Sequence, residues 1–181
     1  AIPATWLDAN DQQGLAVGAI ATAGPGGAAY GATWDAFDVA YIAGNAPGVW
    51  TRIAGFDEVR HEGGFVQAGS DFHLIGGRES RAVRSYAPAS GVWRAGASSP
   101  IVLHHFQAVE LDGLIYAVGA MTGPCCSEPP ATHVYLYDPL ADRWTMGPPL
   151  PAGRLRGGGD AVVFAGRIYW ISGNTRGHEG P

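Results

Sequence analysis

Short apolar runs, each broken after a few positions by Gly, Pro, Asn or Asp, set the pattern of this chain. Residues 108–111 and 114–118 are two such runs, separated only by Asp112-Gly113. Residues 161–164 and 167–171 repeat the arrangement around Ala165-Gly166. A helix needs apolar periodicity over roughly 10–12 residues; these runs are shorter and rich in Val, Ile and aromatics, so the pattern predicts strands. A two-residue link between paired strands works best when both residues take positive φ. Tight hairpins are therefore predicted at 112–113 and 165–166. Nearer the start, an apolar run from Leu15 to Ala23 precedes a turn at Pro25, Gly26 and Gly27.

The hairpins recur. Gly31, Gly76, Gly119 and Ser172 close comparable strands at spacings of 45, 43 and 53 residues. Trp6, Trp50, Trp93 and Trp144 follow at spacings of 44, 43 and 51. Their approaches match, with Gly-Val-Trp at 48–50 and 91–93 and Asp-Arg-Trp at 142–144. Tyr86 and Tyr137 each stand seven residues before a Trp, and Tyr41 takes that part before Trp50 with two extra residues. Each period reads as four short antiparallel strands: A apolar, B ending in small residues, C with the Tyr and D with the Trp. Four strands per ~45-residue repeat is the signature of a β-propeller blade. Whole blades are expected at about 14–52, 59–95 and 104–146, with strands A and B of another at 160–173 and residues 1–8 as a closing strand. Glycine at the end of strand B is expected where blades crowd at the axis, and Tyr and Trp in the wedge between blades.

The small-residue doublets Gly76-Gly77, Gly119-Ala120 and Ser172-Gly173, with Tyr86 and Trp93 or Tyr137 and Trp144 behind them, closely resemble the kelch repeat. Gly31-Ala32 is a weaker version. The resemblance runs from about Trp6 to Gly173 and implies an all-β, kelch-type β-propeller. About four blades fall in this chain, three complete and one split or partial. Kelch rings usually have six or seven, so three arrangements stay open: part of a larger ring, a self-closed four-bladed ring, or copies that associate.

Composition narrows the class. A load of 28 Gly and 13 Pro in 181 residues excludes a helical bundle, because Gly costs about 1 and Pro about 3 kcal/mol inside a helix. Six Trp, seven Tyr and six Phe argue against disorder. No run approaches the ~18 apolar residues of a membrane-spanning helix, and the first residues show no leader pattern. The net charge of −5 argues against nucleic acid as a partner. Every basic side chain is Arg, a planar fork suited to carboxylates, although compositional bias across a genome produces the same usage.

Up-and-down strands send the D–A and B–C connections to one face of the disc. Those connections hold Arg60, His61 and Glu62, His104 and His105, Arg154 and Arg156, then Arg78 and Glu79, and Arg176. They form the expected ligand-binding rim, the alternative being a hydrated surface of local ion pairs. His61, His104 and His105 with Glu62 are the feasible metal ligands. No metal is expected, because neither a two-His helix motif nor a Cys-x-x-Cys spacing is present. Cys125 and Cys126 are neighbours in a loop about eight residues longer than its counterpart one blade earlier. A disulfide between them would place the chain in an oxidising, for example extracellular, compartment; free thiols are the alternative. Trp34, Trp170, His73 and His133 read as structural.

These features lead to a recognition module that binds a protein segment or small polar or acidic ligand on the rim. Carbohydrate-active kelch enzymes are the alternative the resemblance implies. The galactose-oxidase-like group needs a copper site of two Tyr and two His with a Cys crosslinked to one Tyr, and no such set can be placed here. Mutarotase-type relatives use Arg and acidic groups at the channel, which Arg60, Glu62, Arg78 and Glu79 would imitate. Nitrile-specifier-type iron ligands are not reproduced by residues 176–179. A third reading is a structural piece that completes a larger assembly. Cofactor and compartment are left undetermined by the residues.

Overall fold

A computed structural model describes residues 29–32, 37–42, 51–56, 58, 60–125 and 127–177, the first three stretches as backbone only. The described residues contain thirteen strands and no helix. Strands β1 (Ala29–Ala32), β2 (Phe37–Ile42) and β3 (Thr51–Phe56) form one sheet. Strands β4 (Gly64–Ala68), β5 (Asp71–Ile75), β6 (Val83–Ala87) and β7 (Val92–Gly96) form the second. Strands β8 (Gln107–Leu111), β9 (Leu114–Val118), β10 (His133–Asp138) and β11 (Arg143–Pro149) form the third. Strands β12 (Asp160–Phe164) and β13 (Arg167–Ile171) pair as a hairpin. Every sheet is antiparallel and follows chain order.

The expected fold is observed: a segment of a β-propeller built of up-and-down sheets. Trp6, Trp34 and Trp50, the run from Leu15 to Ala23, the turn at Pro25 and the strand at 1–8 lie outside the described residues. Strand β3 reaches Phe56, four residues past the expected end of its blade. Both predicted hairpins take positive φ at both link residues: 54° and 79° at Asp112-Gly113, 50° and 70° at Ala165-Gly166.

The sequence reading put strand B nearest the axis, and the structure corrects it. Strand β8 packs against both β4 and β12, so the first strands of these three sheets are the innermost. Residues 65–67, 107–110 and 161–163 line a cavity of about 280 Å³. Glycine is still required at the end of strand B, for a different reason. Gly76 (φ 62°) turns its Cα against the carbonyl of Leu103 in the next sheet. Gly119 (φ 61°) lies flat against the indole of Trp170, and a Cβ there would overlap the ring. The structural role expected of Trp170 is thus an inter-blade contact.

The wedge between the second and third sheets is filled as expected. Leu103, Ile75, Val83 and Ile115 are buried together with Phe106, Ala108 and Tyr137 in one cluster that draws on both sheets. A fully buried Leu contributes about 2 kcal/mol. Tyr86 faces Trp93, and Tyr137 faces Trp144, as cross-strand partners with ring centroids 5.1 and 5.2 Å apart. The polar ends of the second pair reach across the wedge. Trp144 Nε1 donates to the Ala97 carbonyl at 2.8 Å. Asp142 Oδ1 accepts from both Tyr137 Oη and Ala97 N at 2.6 Å. The Ala97 and Tyr137 bonds hold the Asp142 carboxyl below its usual range, while burial and that same carboxylate push the Tyr137 phenol up. His73 is buried against Ser85 Oγ at 2.8 Å, a structural role as expected, and burial lowers its pKa.

Two outcomes follow for stability. Gly119→Ala is expected to cost about 2 kcal/mol beyond Gly113→Ala. Gly113 also has positive φ (79°) but nothing within 4 Å of its Cβ position, so its substitution reports the backbone cost alone. Urea titration of the two variants measures the difference. Asp142→Gly keeps the left-handed backbone, since Gly91 occupies the matching turn at φ 68°, but it removes the bridging carboxylate. A depressed carboxyl pKa stabilises the fold above the unfolded value of about 3.9, and the benefit disappears as pH falls through the folded value. Melting of Asp142→Gly is therefore expected below wild type at neutral pH, with the difference shrinking as pH falls through the depressed folded value.

Candidate functional site

Three successive sheets begin with a left-handed residue at matching positions: Glu62 (φ 61°), His105 (φ 49°) and Gly158 (φ 71°). His105 N donates to Glu62 O at 2.9 Å, and Gly158 N donates to His105 O at 2.8 Å. This ladder runs from sheet to sheet on the loop face and brings the lead-in residues together. The B–C loops close onto it. Arg78 N donates to His61 O at 3.1 Å, and Gly77 N to Leu103 O at 2.8 Å. The long loop of the third blade folds back through the His104–Met121 bridge and the Met121–Pro130 bridge.

A polar cluster results. Arg78 Nε lies 2.8 Å from Glu62 Oε2, and Arg78 Nη2 donates to Glu62 Oε1 at 3.1 Å. Arg78 Nη1 also pairs with Glu128. The Glu128 side chain has no exposed surface at all. His104 is equally buried, and its Nε2 meets the Gly123 carbonyl at 3.0 Å. Its Nδ1 faces His105 Nδ1 at 2.7 Å. His105 Nδ1 is 3.3 Å from Glu62 Oε2, and His61 Nδ1 is 3.1 Å from Glu62 Oε1.

Burial works against the Glu128 carboxylate, but the Arg78 hydrogen bond and charge outweigh it and hold the pKa below the usual range. Burial likewise opposes the Arg78 charge, and Glu62 and Glu128 together raise its pKa. Burial, helped by His104 and Arg78, lowers the His105 pKa.

The remaining expected site residues divide by environment. Arg60 does not join the rim surface: it is buried, donating to the carbonyls of Gly76 (3.2 Å) and Ala82 (2.9 Å) and pairing with Glu58. It joins its own blade's B–C loop to the lead-in segment, a structural task. Arg156 repeats that placement more weakly, reaching Gly173 O at 3.5 Å. Glu79, Arg154 and Arg176 are exposed. Glu128 was missed by the sequence reading; the signal was present in the insertion around the two cysteines, which carries it to Arg78. No cysteine among the described residues is free. Cys125 is disulfide-bonded, and Cys126, its expected partner, lies outside the described residues.

No family model matches the chain. It is 28% identical over 138 residues to the Kelch-like protein terF of Aspergillus terreus (strain NIH 2624 / FGSC A1156), covering 68% of this chain and 30% of that protein. It is 34% identical over 101 residues to the mouse Kelch domain-containing protein 7A, covering 56% of this chain and 12% of the relative. Beta-scruin of Limulus polyphemus matches at 27% over 139 residues, 72% and 15% of the two chains. The chain thus spans less than a third of the length of these curated relatives. Among solved structures, that of YjhT superposes with a TM-score of 0.73 at 14% identity, over 88% of this chain and 59% of that one.

The charge count in the cluster predicts which member matters most for stability. Arg78 stands between two carboxylates, Glu62 and Glu128. Arg78→Met removes the guanidinium from both and is expected to cost about 3 kcal/mol or more. Glu128→Gln leaves Arg78 still paired with Glu62 and is expected to cost about 1 kcal/mol. Denaturant titration of the two variants ranks them, and the reverse order contradicts this picture.

Proposed function

We propose that this chain, a member of the kelch-repeat β-propeller family, is a protein-binding propeller segment whose loop face receives an acidic stretch of a partner protein. The observation that carries this reading is Arg154. Its side chain is exposed, and it has no carboxylate partner among the described residues. Arg156 beside it makes only the 3.5 Å contact with Gly173 O. Arg60 and Arg78, by contrast, are engaged within the fold and drop out as ligand anchors. Arg supplies a forked donor for carboxylates, and the backbone ladder beneath holds the surrounding loops in place. The engagement of Arg78 with Glu62 also weighs against an isomerase that needs those groups free for substrate.

Fluorescence anisotropy with a labelled Asp/Glu-rich peptide, a neutral peptide and a Lys/Arg-rich peptide of equal length tests the reading. Only the acidic peptide is expected to bind, with affinity falling as salt rises. Arg154→Ala with Arg156→Ala is expected to weaken it about tenfold, or 1.4 kcal/mol. Equal binding of the neutral peptide, or acidic-peptide binding unchanged in the double variant, overturns it.

A further inference from the structure

We propose that Glu62, His104 and His105 form a binding site for one zinc ion, which clamps the lead-in of the second sheet to that of the third. This inference is independent of the partner-binding reading. Glu62 Oε2, His104 Nδ1 and His105 Nδ1 form a triangle with sides of 2.7, 3.3 and 3.9 Å. The point equidistant from the three atoms lies about 2.0 Å from each, the length of Zn–N and Zn–O bonds. Residues from separate blades thus place three donor atoms at bonding distance from one centre.

The protonation pattern favours a ligand role. The Gly123 carbonyl can only accept, so His104 Nε2 donates to it, which leaves Nδ1 as the nitrogen to offer a lone pair to a metal. A backbone carbonyl on the far nitrogen is the usual support of a metal-bound imidazole. His105 Nδ1 faces that lone pair at 2.7 Å, a distance at which two lone pairs repel unless a proton or a cation lies between them. Glu62 Oε2 is buried and accepts no hydrogen bond; Arg78 Nε is its ion-pair neighbour. Arg78 stands against both carboxylates, Glu62 and Glu128, on one side of the cluster.

The donor set chooses the metal. Two imidazoles and one carboxylate suit zinc, whereas magnesium and calcium want oxygen ligands. His61 approaches the other carboxylate oxygen and stands outside the triangle. Three protein ligands leave a further coordination position for water or a ligand group. Glu62 and His105 also adopt left-handed backbone where Gly158 marks the cheap choice, and such strain in ionisable residues gathers at functional sites. The sequence names His104, His105 and Glu62 among feasible ligands, yet without a two-His helix motif or Cys-x-x-Cys spacing it leads to the expectation of no metal.

The test uses the full chain, stripped with chelator and titrated calorimetrically with Zn²⁺ alone. One ion per chain is expected, with excess Mg²⁺ not competing. Glu62→Gln and His105→Gln are each expected to weaken binding at least tenfold, and His133→Gln to leave it unchanged. Near-UV circular dichroism establishes that each variant is folded. Should neither fold, Co²⁺ added to the wild-type chain decides, saturable visible d–d bands of Co²⁺ bound by nitrogen and oxygen being expected. No saturable Zn²⁺ binding, unchanged affinity in a folded Glu62 or His105 variant, loss of binding in His133→Gln, or absent Co²⁺ bands overturns the proposal.

Discussion

Two backbone hydrogen bonds, His105 N to Glu62 O and Gly158 N to His105 O, set the radial order of this molecule. They join three sheets at one level on the loop face, and each requires the chain to pass through a left-handed residue. Once the lead-in segments are joined, the innermost strands lie side by side and β8 packs against β4 and β12. Farther out, the wedge between sheets must be filled. Tyr137 and Trp144 fill it with aromatic area and reach the preceding sheet through Asp142 and Ala97. The ladder near the axis and the aromatic bridge at the periphery fix the angle between neighbouring sheets at two radii, so neither can shift alone.

Left-handed backbone costs an L-residue about 1–2 kcal/mol, and the chain accepts that cost for different returns. At Asp112 and Ala165 the return is a two-residue hairpin. At Asp142 the carboxylate also collects two hydrogen bonds from the wedge. Glu62 and His105 differ, because their side chains converge on one another and on His104. Gly158 makes the same ladder bond without a side chain, so the ladder itself does not require ionisable residues. Their presence belongs to the cluster. That cluster in turn depends on Arg78 and Glu128, one from the second sheet's B–C loop and one from the third's.

Much of the fold was legible because it is periodic. The cadence of Gly76, Gly119 and Ser172 with Tyr86, Trp93, Tyr137 and Trp144 reports strands and their order directly. Asp112-Gly113 and Ala165-Gly166 report hairpins through a backbone requirement that few residues meet. The radial direction was not legible: alternation along a strand says which face is buried but not which edge lies nearest the axis, and strand B was placed where strand A belongs. The site was legible only in part. The up-and-down strand order gathers the right loops on one face, but it cannot separate Arg60, turned inward onto Gly76 and Ala82, from the exposed Arg154. The long loop marks the neighbourhood of Glu128, but its pairing is not legible because its partner, Arg78, belongs to the preceding blade.

The hairpin β12–β13 shows how far one blade's residues depend on its neighbour. Counted from the strand-B glycine, Ile171 matches Ile75 and Val118, which are 0% and 5% exposed. Ile171 is 64% exposed, and Val162, Phe164 and Tyr169 share its open face. The other face is closed, with Trp170 against Gly119 and β12 against β8. An isolated two-stranded hairpin is marginally stable in water, so the contacts with the third sheet are what hold this one in register. The residues on its open face have the apolar character that, one and two repeats earlier, lies beneath the next sheet. Burial at these positions is therefore a property of the following blade rather than of the strand that carries them. The same dependence explains why Gly119 must be glycine: its side-chain space belongs to Trp170.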